Sequence, residues 1–186
     1  VRDVLQGMSF RAERGAVLFG GTSVQDELAI FSKRLFLLAR VLGVLGSLAL
    51  RTPTFARRAT EYYVLMLGSL LGMLVLASAR ELILLFVAFE LMSIPLYVMS
   101  GFRKGEEESV EAALKFFLIG TVSSAFIAYG VSFVYGISKT TDLSGVAAAL
   151  QDGHPLLLLG MTLTLGGLGF KVAASPFPIG GPRNSG

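Results

Sequence analysis

A long apolar run that contains one carboxylate constrains this chain more than any other feature. Residues 82–101 read LILLFVAFELMSIPLYVMSG, and Glu90 is their only charged residue. As an α-helix, the residues before Gly101 extend over about 28 Å, which matches the hydrocarbon core of a bilayer. A charge at that depth costs about 2.5–3.5 kcal/mol on insertion scales and usually faces a protein interior or a hydrated cavity. The run therefore predicts a transmembrane helix with a carboxylate that needs a partner or a function.

The composition predicts an all-α, polytopic transmembrane helix bundle. Hydrophobic residues make up 53% of the 186 residues and charged residues 16%, whereas charged residues are about 25% of a typical soluble domain. The chain has no cysteine and one histidine, His154, which excludes a Cys-ligated iron–sulfur cluster, a structural zinc site and bis-histidine haem ligation within it. The net charge of +3 is small and dispersed, so we expect no nucleic-acid binding.

Five apolar segments are long enough to cross a bilayer. They cover residues 28–50, 62–79, 82–100, 110–136 and 155–176. Lys33, Arg34 and Arg40 weaken the first segment, although the first two can extend to the membrane interface. Because the chain begins without Met and shows no signal-peptide pattern, we expect it to be a fragment of a larger membrane protein.

The remaining segments are polar. We predict a lead-in at 1–27, loops at 51–61 and 137–153, and a tail at 178–186, without the alternating pattern of strands. One side of the membrane then holds most of the positive charge, namely Arg51, Arg57, Arg58, Arg103 and Lys104. The positive-inside rule favours that side as cytoplasmic by a small margin.

Glu90 lies on a narrow polar face of the third segment. Ser93 and Tyr97 follow it at helical spacing, while Pro95 lacks a backbone donor and frees the carbonyl of Leu91. An intramembrane carboxylate marks an ion or proton path by default. The alternative is that Glu90 is protonated or paired and only holds helices together.

Lys171 repeats this arrangement in the fifth segment. Thr164, Gly167 and Ser175 share its face, and Pro176 follows it at the spacing that separates Glu90 from its proline. Interrupted helices that present charged groups to a buried cavity recur in transporters. The alternative is a lysine near a helix end that extends to water.

The position of Lys115 can be explained without a role in transport. Glu111 lies one turn before it, in the Glu-before-Lys order that stabilises a helix by about 0.2–0.5 kcal/mol. Both residues fall in the first two turns of the fourth segment. An interfacial ion pair therefore accounts for them adequately.

Three stretches carry a family resemblance. They read EYYVLMLGSLLGMLVLASARELILLFVAFELMSIPLYVMSGF, SVEAALKFFLIGTVSSAFIAYGVSFVYGISKTT and LGGLGFKVAASPF. In this order they resemble the antiporter-like, proton-translocating membrane subunits of respiratory complex I, most closely the N subunits of bacterial NADH-quinone oxidoreductase. After Phe177 the chain departs from the family, which usually continues with a His-Trp-like pair where Pro178 and Ile179 stand here.

The resemblance implies a fold of about fourteen transmembrane helices in two inverted repeats, of which this chain covers roughly helices 3–7. Glu90 would match the buried glutamate of the fifth helix, Lys115 the lysine of the sixth, and Lys171 the lysine of the broken seventh. These three are the predicted site residues.

The resemblance also implies a function. We expect a proton-translocating, redox-centre-free subunit of NADH:quinone oxidoreductase in the bacterial inner membrane, with the fragment inactive alone. Its partners would be other membrane subunits of complex I, the lipid bilayer and protons. It would hold no cofactor, since quinone, FMN and iron–sulfur clusters would lie elsewhere in the complex. The alternatives are a cation/proton antiporter or membrane-bound hydrogenase subunit, and a non-transporting membrane scaffold.

The hypothesised mechanism couples the three residues. Glu90 pairs with Lys115 in one state, and loss of that pair changes the proton affinity of Lys171. At ~4 Å and an effective dielectric constant of about 20, one contact between unit charges is worth ~4 kcal/mol. That energy is large enough to change whether a buried lysine is protonated.

Overall fold

Four long apolar helices dominate the computed structural model, which describes residues 16–47, 53–102 and 107–174. The described residues form six α-helices: α1 (Glu27–Ser47), α2 (Pro53–Leu76), α3 (Leu82–Ser100), α4 (Glu107–Ser138), α5 (Leu143–Ala149) and α6 (Pro155–Ala174). Two short strands, β1 (Ala16–Leu18) and β2 (Ser23–Gln25), precede them and pair antiparallel.

Within the described residues, four helices are long and apolar enough to cross a membrane. Their spanning parts are Arg58–Leu76, Leu82–Ser100, Ser109–Ser138 and Pro155–Val172. Helix α1 forms where the first segment was predicted but carries Lys33, Arg34 and Arg40 and is not among the four. Its assignment as a fifth span stays a prediction.

The structure adds secondary structure to three of the predicted connecting segments. The loop at 51–61 is largely helical, because Pro53 occupies the first position of α2, where its fixed φ and missing N–H suit a helix start. The loop at 137–153 contains the helix α5. The lead-in at 1–27 contains the β1–β2 hairpin, whose three-residue strands are too short to produce a recognisable alternation.

The helices pack in a chain of neighbours, with α4 against both α3 and α6, and α2 against α1 and α3. The contact between α4 and α6 is the most extensive. There a Cβ on Gly130 would lie 2.4 Å from Thr164 Oγ1 and 2.6 Å from the Gly160 carbonyl oxygen. Small residues at such crossings let membrane helices approach closely, so α6 lies directly on the backbone of α4.

Backbone hydrogen bonds join the connecting segments at one end of the bundle. Arg80, between α2 and α3, donates from its N–H to the Thr22 carbonyl (2.9 Å) and accepts from the Leu143 N–H (3.0 Å). The Leu82 N–H donates to the Thr141 carbonyl (2.9 Å). This end of the bundle, which we call the tied end, therefore holds the hairpin, the α2–α3 turn and the start of α5 together.

Asp142 anchors the tied end through its carboxylate. Oδ2 accepts from the N–H groups of Ser144 (3.1 Å) and Gly145 (3.2 Å) and caps α5, while Oδ1 lies 3.4 Å from Nε of Arg80. Burial alone would raise the pKa of Asp142, but the hydrogen bonds from Ser144 and Gly145 and the charge of Arg80 outweigh it and hold the pKa below its usual value.

We predict that substitution of Gly130 by Ala weakens the α4–α6 contact. The added methyl group meets backbone and Thr164 atoms, and overpacking of this kind costs about 1–3 kcal/mol. Gly136→Ala in the same helix is the matched control, because a Cβ there meets nothing within 4 Å. The temperature of half-unfolding, measured on the detergent-solubilised full-length subunit, should fall for the first variant and hold or rise for the second. Equal effects would contradict the packing described here.

A second prediction concerns the stability of the tied end at low pH. Because the pKa of Asp142 is lower in the folded protein than its ordinary value of 3.8, its stabilising effect is complete above that value and is lost as pH falls through the folded pKa. Hydrogen-exchange protection of the Ser144 and Gly145 amides, corrected for intrinsic exchange, should drop in that range. In Asp142→Asn, which cannot titrate, protection should not change with pH. A drop of the same size in Asp142→Asn would show that another group is responsible.

Candidate functional site

An ion pair between two of the apolar helices is the centre of the site. Lys171, near the end of α6, donates from Nζ to Oε1 of Glu90, in the middle of α3. The Lys171 side chain is 4% exposed and the Glu90 side chain 25%. The structure thus brings together two of the three predicted site residues.

The polar face predicted around Glu90 points into the bundle. Ser93 and Tyr97 are both buried on α3. The Ser93 hydroxyl donates to the Phe89 carbonyl one turn earlier (2.6 Å), so its hydrogen-bond donor has a partner within its own helix. Helix α3 continues through Pro95. The predicted face is therefore confirmed, and Glu90 stands at its upstream end.

The surroundings of Lys171 are similarly closed. Thr164, two turns earlier in α6, is 1% exposed and donates to the Gly160 carbonyl (2.8 Å). A Cβ on Gly167 would lie 2.6 Å from Cγ1 of Ile127 in α4. The ammonium also lies 6.0 Å from the centre of the Phe89 ring, within reach of a cation–π attraction. The other two predicted neighbours, Ser175 and Pro176, fall outside the described residues.

Ser124 is a member of the site that sequence reasoning missed. Its hydroxyl, on α4, donates to the same oxygen of Glu90 that Lys171 contacts, at 2.6 Å. Glu90 thereby joins α3, α4 and α6 at one point. Serines in apolar helices commonly donate their hydroxyl to a backbone carbonyl of the preceding turn. The sequence holds no signal that distinguishes Ser124 from its neighbour Ser123.

A close approach between α3 and α4 accompanies this contact. A Cβ on Gly120, one turn before Ser124, would lie 2.0 Å from the Tyr97 hydroxyl oxygen, so only glycine leaves room for the tyrosine. The Tyr97 ring packs edge-to-face on Phe116, with centroids 4.8 Å apart. The glycine thus allows α4 to present Ser124 to Glu90.

Lys115 is not brought to Glu90 in this structure. Its Nζ lies 2.5 Å from Oε1 of Glu111, and both side chains are exposed, at 47% and 64%. Ser124 is the residue of α4 that contacts Glu90. Lys115 lies roughly 13 Å before Ser124 along the axis of α4, at ~1.5 Å per residue. The pairing of Glu90 with Lys115 is therefore replaced here by pairing with Lys171, and Lys115 forms the ion pair with Glu111 that its spacing predicted.

The arrangement meets the requirement that a buried charge be satisfied. Among the described residues, no buried side-chain nitrogen or oxygen lacks a hydrogen-bond partner. A buried ion pair adds little net stability, but removal of one partner costs about 3–5 kcal/mol because the other charge is left uncompensated. Glu90 and Lys171 therefore depend on each other as charge partners.

Comparisons with known proteins show the family of the chain. The family described as NADH:quinone oxidoreductase/Mrp antiporter, transmembrane, matches residues 79–179, which include Glu90, Lys115 and Lys171. NADH-quinone oxidoreductase subunit N 2 of Koribacter versatilis is 45% identical over 128 residues, which cover 67% of this chain and 26% of the relative. Subunit N 1 of Thermodesulfovibrio yellowstonii is 38% identical over 164 residues, which cover 88% of this chain and 36% of the relative.

A solved structure agrees with these relatives. A chain of respiratory complex I from Thermus thermophilus with bound aureothin matches 91% of this chain with a TM-score of 0.68 and 33% identity, over 36% of its own length. The chain thus spans about a third of the length of the proteins it matches. By sequence and fold, the chain belongs to the NADH:quinone oxidoreductase/Mrp antiporter family of membrane proteins and is similar there to subunit N of bacterial NADH-quinone oxidoreductase.

Proposed function

We propose that this chain is part of a proton-translocating subunit in the membrane arm of a bacterial NADH:quinone oxidoreductase. The observation that carries the proposal is the ion pair between Glu90 and Lys171, which links two helices apolar enough to span the inner membrane. The names of the matched relatives support the type of complex. Its partners are then other membrane subunits of complex I and the surrounding lipid, and the electron-transfer cofactors belong to other subunits.

The ion pair can couple a proton movement to a change in electrostatic energy. When Glu90 takes up a proton, the Lys171 ammonium loses the negative charge that stabilises it in a closed environment. At ~4 Å and an effective dielectric constant of about 20, that contact is worth ~4 kcal/mol. Lys171 then releases a proton more readily. By the same interaction, only the return of the Lys171 ammonium favours the carboxylate form of Glu90.

Lys115 enters the proposal at a different step. In this structure it pairs with Glu111 near the start of α4, away from the tied end. Contact with Glu90 requires a rearrangement that shortens the separation along α4. We propose that Lys115 exchanges protons with the pair only in a second conformation, driven by quinone reduction elsewhere in the complex.

Two other functions remain to be separated from this one. The family description also names the Mrp antiporter, and a cation/proton antiporter would transport sodium in a way that depends on the same residues. A non-transporting scaffold would use Glu90 and Lys171 only to hold α3 and α6 together. Sodium-dependent transport in vesicles tests the first alternative, and the following variants test the second.

A double-substitution cycle separates transport from scaffolding. We expect Glu90→Gln and Lys171→Met each to lower the amount of assembled complex, because each leaves a buried partner uncompensated. The double variant should recover much of the assembly, since neither charge remains. Proton pumping per assembled complex should stay lost in all three. Measurements on inverted membrane vesicles would use NADH-driven acidification divided by the content of complex.

Glu81→Gln is the matched control for this cycle. Glu81 is a carboxylate just before α3 that accepts a hydrogen bond from Thr141 at the tied end, away from Lys171. It should pump at the unsubstituted rate per complex. Recovery of both assembly and pumping in the double variant would contradict the transport role and show that the two residues act only as a scaffold.

A further prediction addresses Lys115. If it takes part in proton transfer, Lys115→Met should reduce pumping per complex strongly, while Glu111→Gln should change it far less. If the two residues form only an exposed ion pair, worth about 0.2–0.5 kcal/mol on a helix, both variants should pump normally. Normal pumping by Lys115→Met would remove Lys115 from the proposed path.

A further inference from the structure

The Ser124 hydroxyl has two acceptors at the ion pair. Its Oγ lies 2.6 Å from Oε1 of Glu90 and 2.8 Å from the Gly120 carbonyl oxygen of its own helix. A serine hydroxyl carries one proton, so it donates fully to one acceptor at a time. The two hydrogen bonds are therefore alternatives, and the charge on Glu90 decides between them, because a carboxylate is a stronger acceptor than a backbone carbonyl.

Neither alternative leaves a buried donor without a partner. When Ser124 turns to Gly120, it makes the bond to the preceding turn that serines in helices commonly make. Ser123 beside it makes that bond to the Ile119 carbonyl at 2.9 Å. Lys171, the other donor to Glu90, has the Phe89 ring 6.0 Å away. Both donors thus have a second attractive group when the carboxylate loses its charge.

We propose that Ser124 is a positioning residue for proton transfer at Glu90. Its hydroxyl holds the charged Oε1 at the point that Lys171 reaches from α6, and it returns to the Gly120 carbonyl when Glu90 takes up a proton. The inference rests on the proposed function, in which Glu90 is a proton carrier. It adds α4 to that step through a residue that the sequence did not single out.

The test uses three variants of the full-length subunit in its assembled complex. Ser124→Ala removes the hydroxyl, Ser124→Thr keeps it, and Ser123→Ala is the matched control because Ser123 bonds to Ile119 on its own helix. The first readout is modification of Glu90 by N,N′-dicyclohexylcarbodiimide, which reacts with protonated carboxyl groups in apolar surroundings, quantified by mass spectrometry. The second is proton pumping per assembled complex.

In Ser124→Ala we expect Glu90 to be modified roughly tenfold faster, the effect of one hydrogen bond to a charged group, and pumping to fall. Ser124→Thr should restore both, and Ser123→Ala should resemble the unsubstituted protein. Unchanged modification in Ser124→Ala, or the same rise in Ser123→Ala, would overturn the proposal.

The two readouts separate this inference from the function on which it rests. If modification changes as expected while both Ser124→Ala and Glu90→Gln pump at the unsubstituted rate, the positioning of Glu90 by Ser124 stands and the proposed transport role fails. If Glu90→Gln abolishes pumping while Ser124→Ala affects neither readout, the transport role stands and the positioning role is overturned.

Discussion

A charge placed among apolar helices must find its partner within the protein, and the architecture of this chain follows from that requirement. Glu90 has no charged neighbour in its own helix, so α3 can be stable in lipid only if another helix supplies a donor. Lys171 on α6 supplies the ammonium and Ser124 on α4 the hydroxyl. The contacts of Glu90 thereby join three helices at one point.

Close backbone approach makes this pairing possible. Gly130 and Gly160 let α4 and α6 meet, and Gly167 lets the turn before Lys171 lie against Ile127. A larger side chain at these positions would hold the helices apart and move the ammonium away from α3. The glycines that look like ordinary membrane packing in the sequence thus set the distance on which the electrostatics depend.

The sequence predicted the features that depend on local pattern. The apolar run of α3 ends where predicted, and the faces of Glu90 and Lys171 point inward, because helical periodicity decides both. The sequence did not identify Lys171 as the ion-pair partner of Glu90, and the pairing of Glu90 with Lys115 in one state stays a prediction. Lys115 and Lys171 are both lysines in apolar segments, and only the packing of α6 on α4, a long-range arrangement, selects between them. The contact with Ser124 was missed for the same reason.

The two lysines now differ in physical environment, and this difference orders their proposed roles. Lys171 is almost fully enclosed, and its ion-pair partner is Glu90. Lys115 is half exposed, and in this conformation its ion-pair partner is Glu111, one turn away, rather than Glu90. In the proposed function, the coupled proton step therefore begins at the enclosed pair. Lys115 can join that step only after α4 moves relative to α3. Such a movement would break the contact between Ser124 and Glu90. The Ser124 hydroxyl can release Glu90 without losing a hydrogen bond, because it can turn to the Gly120 carbonyl.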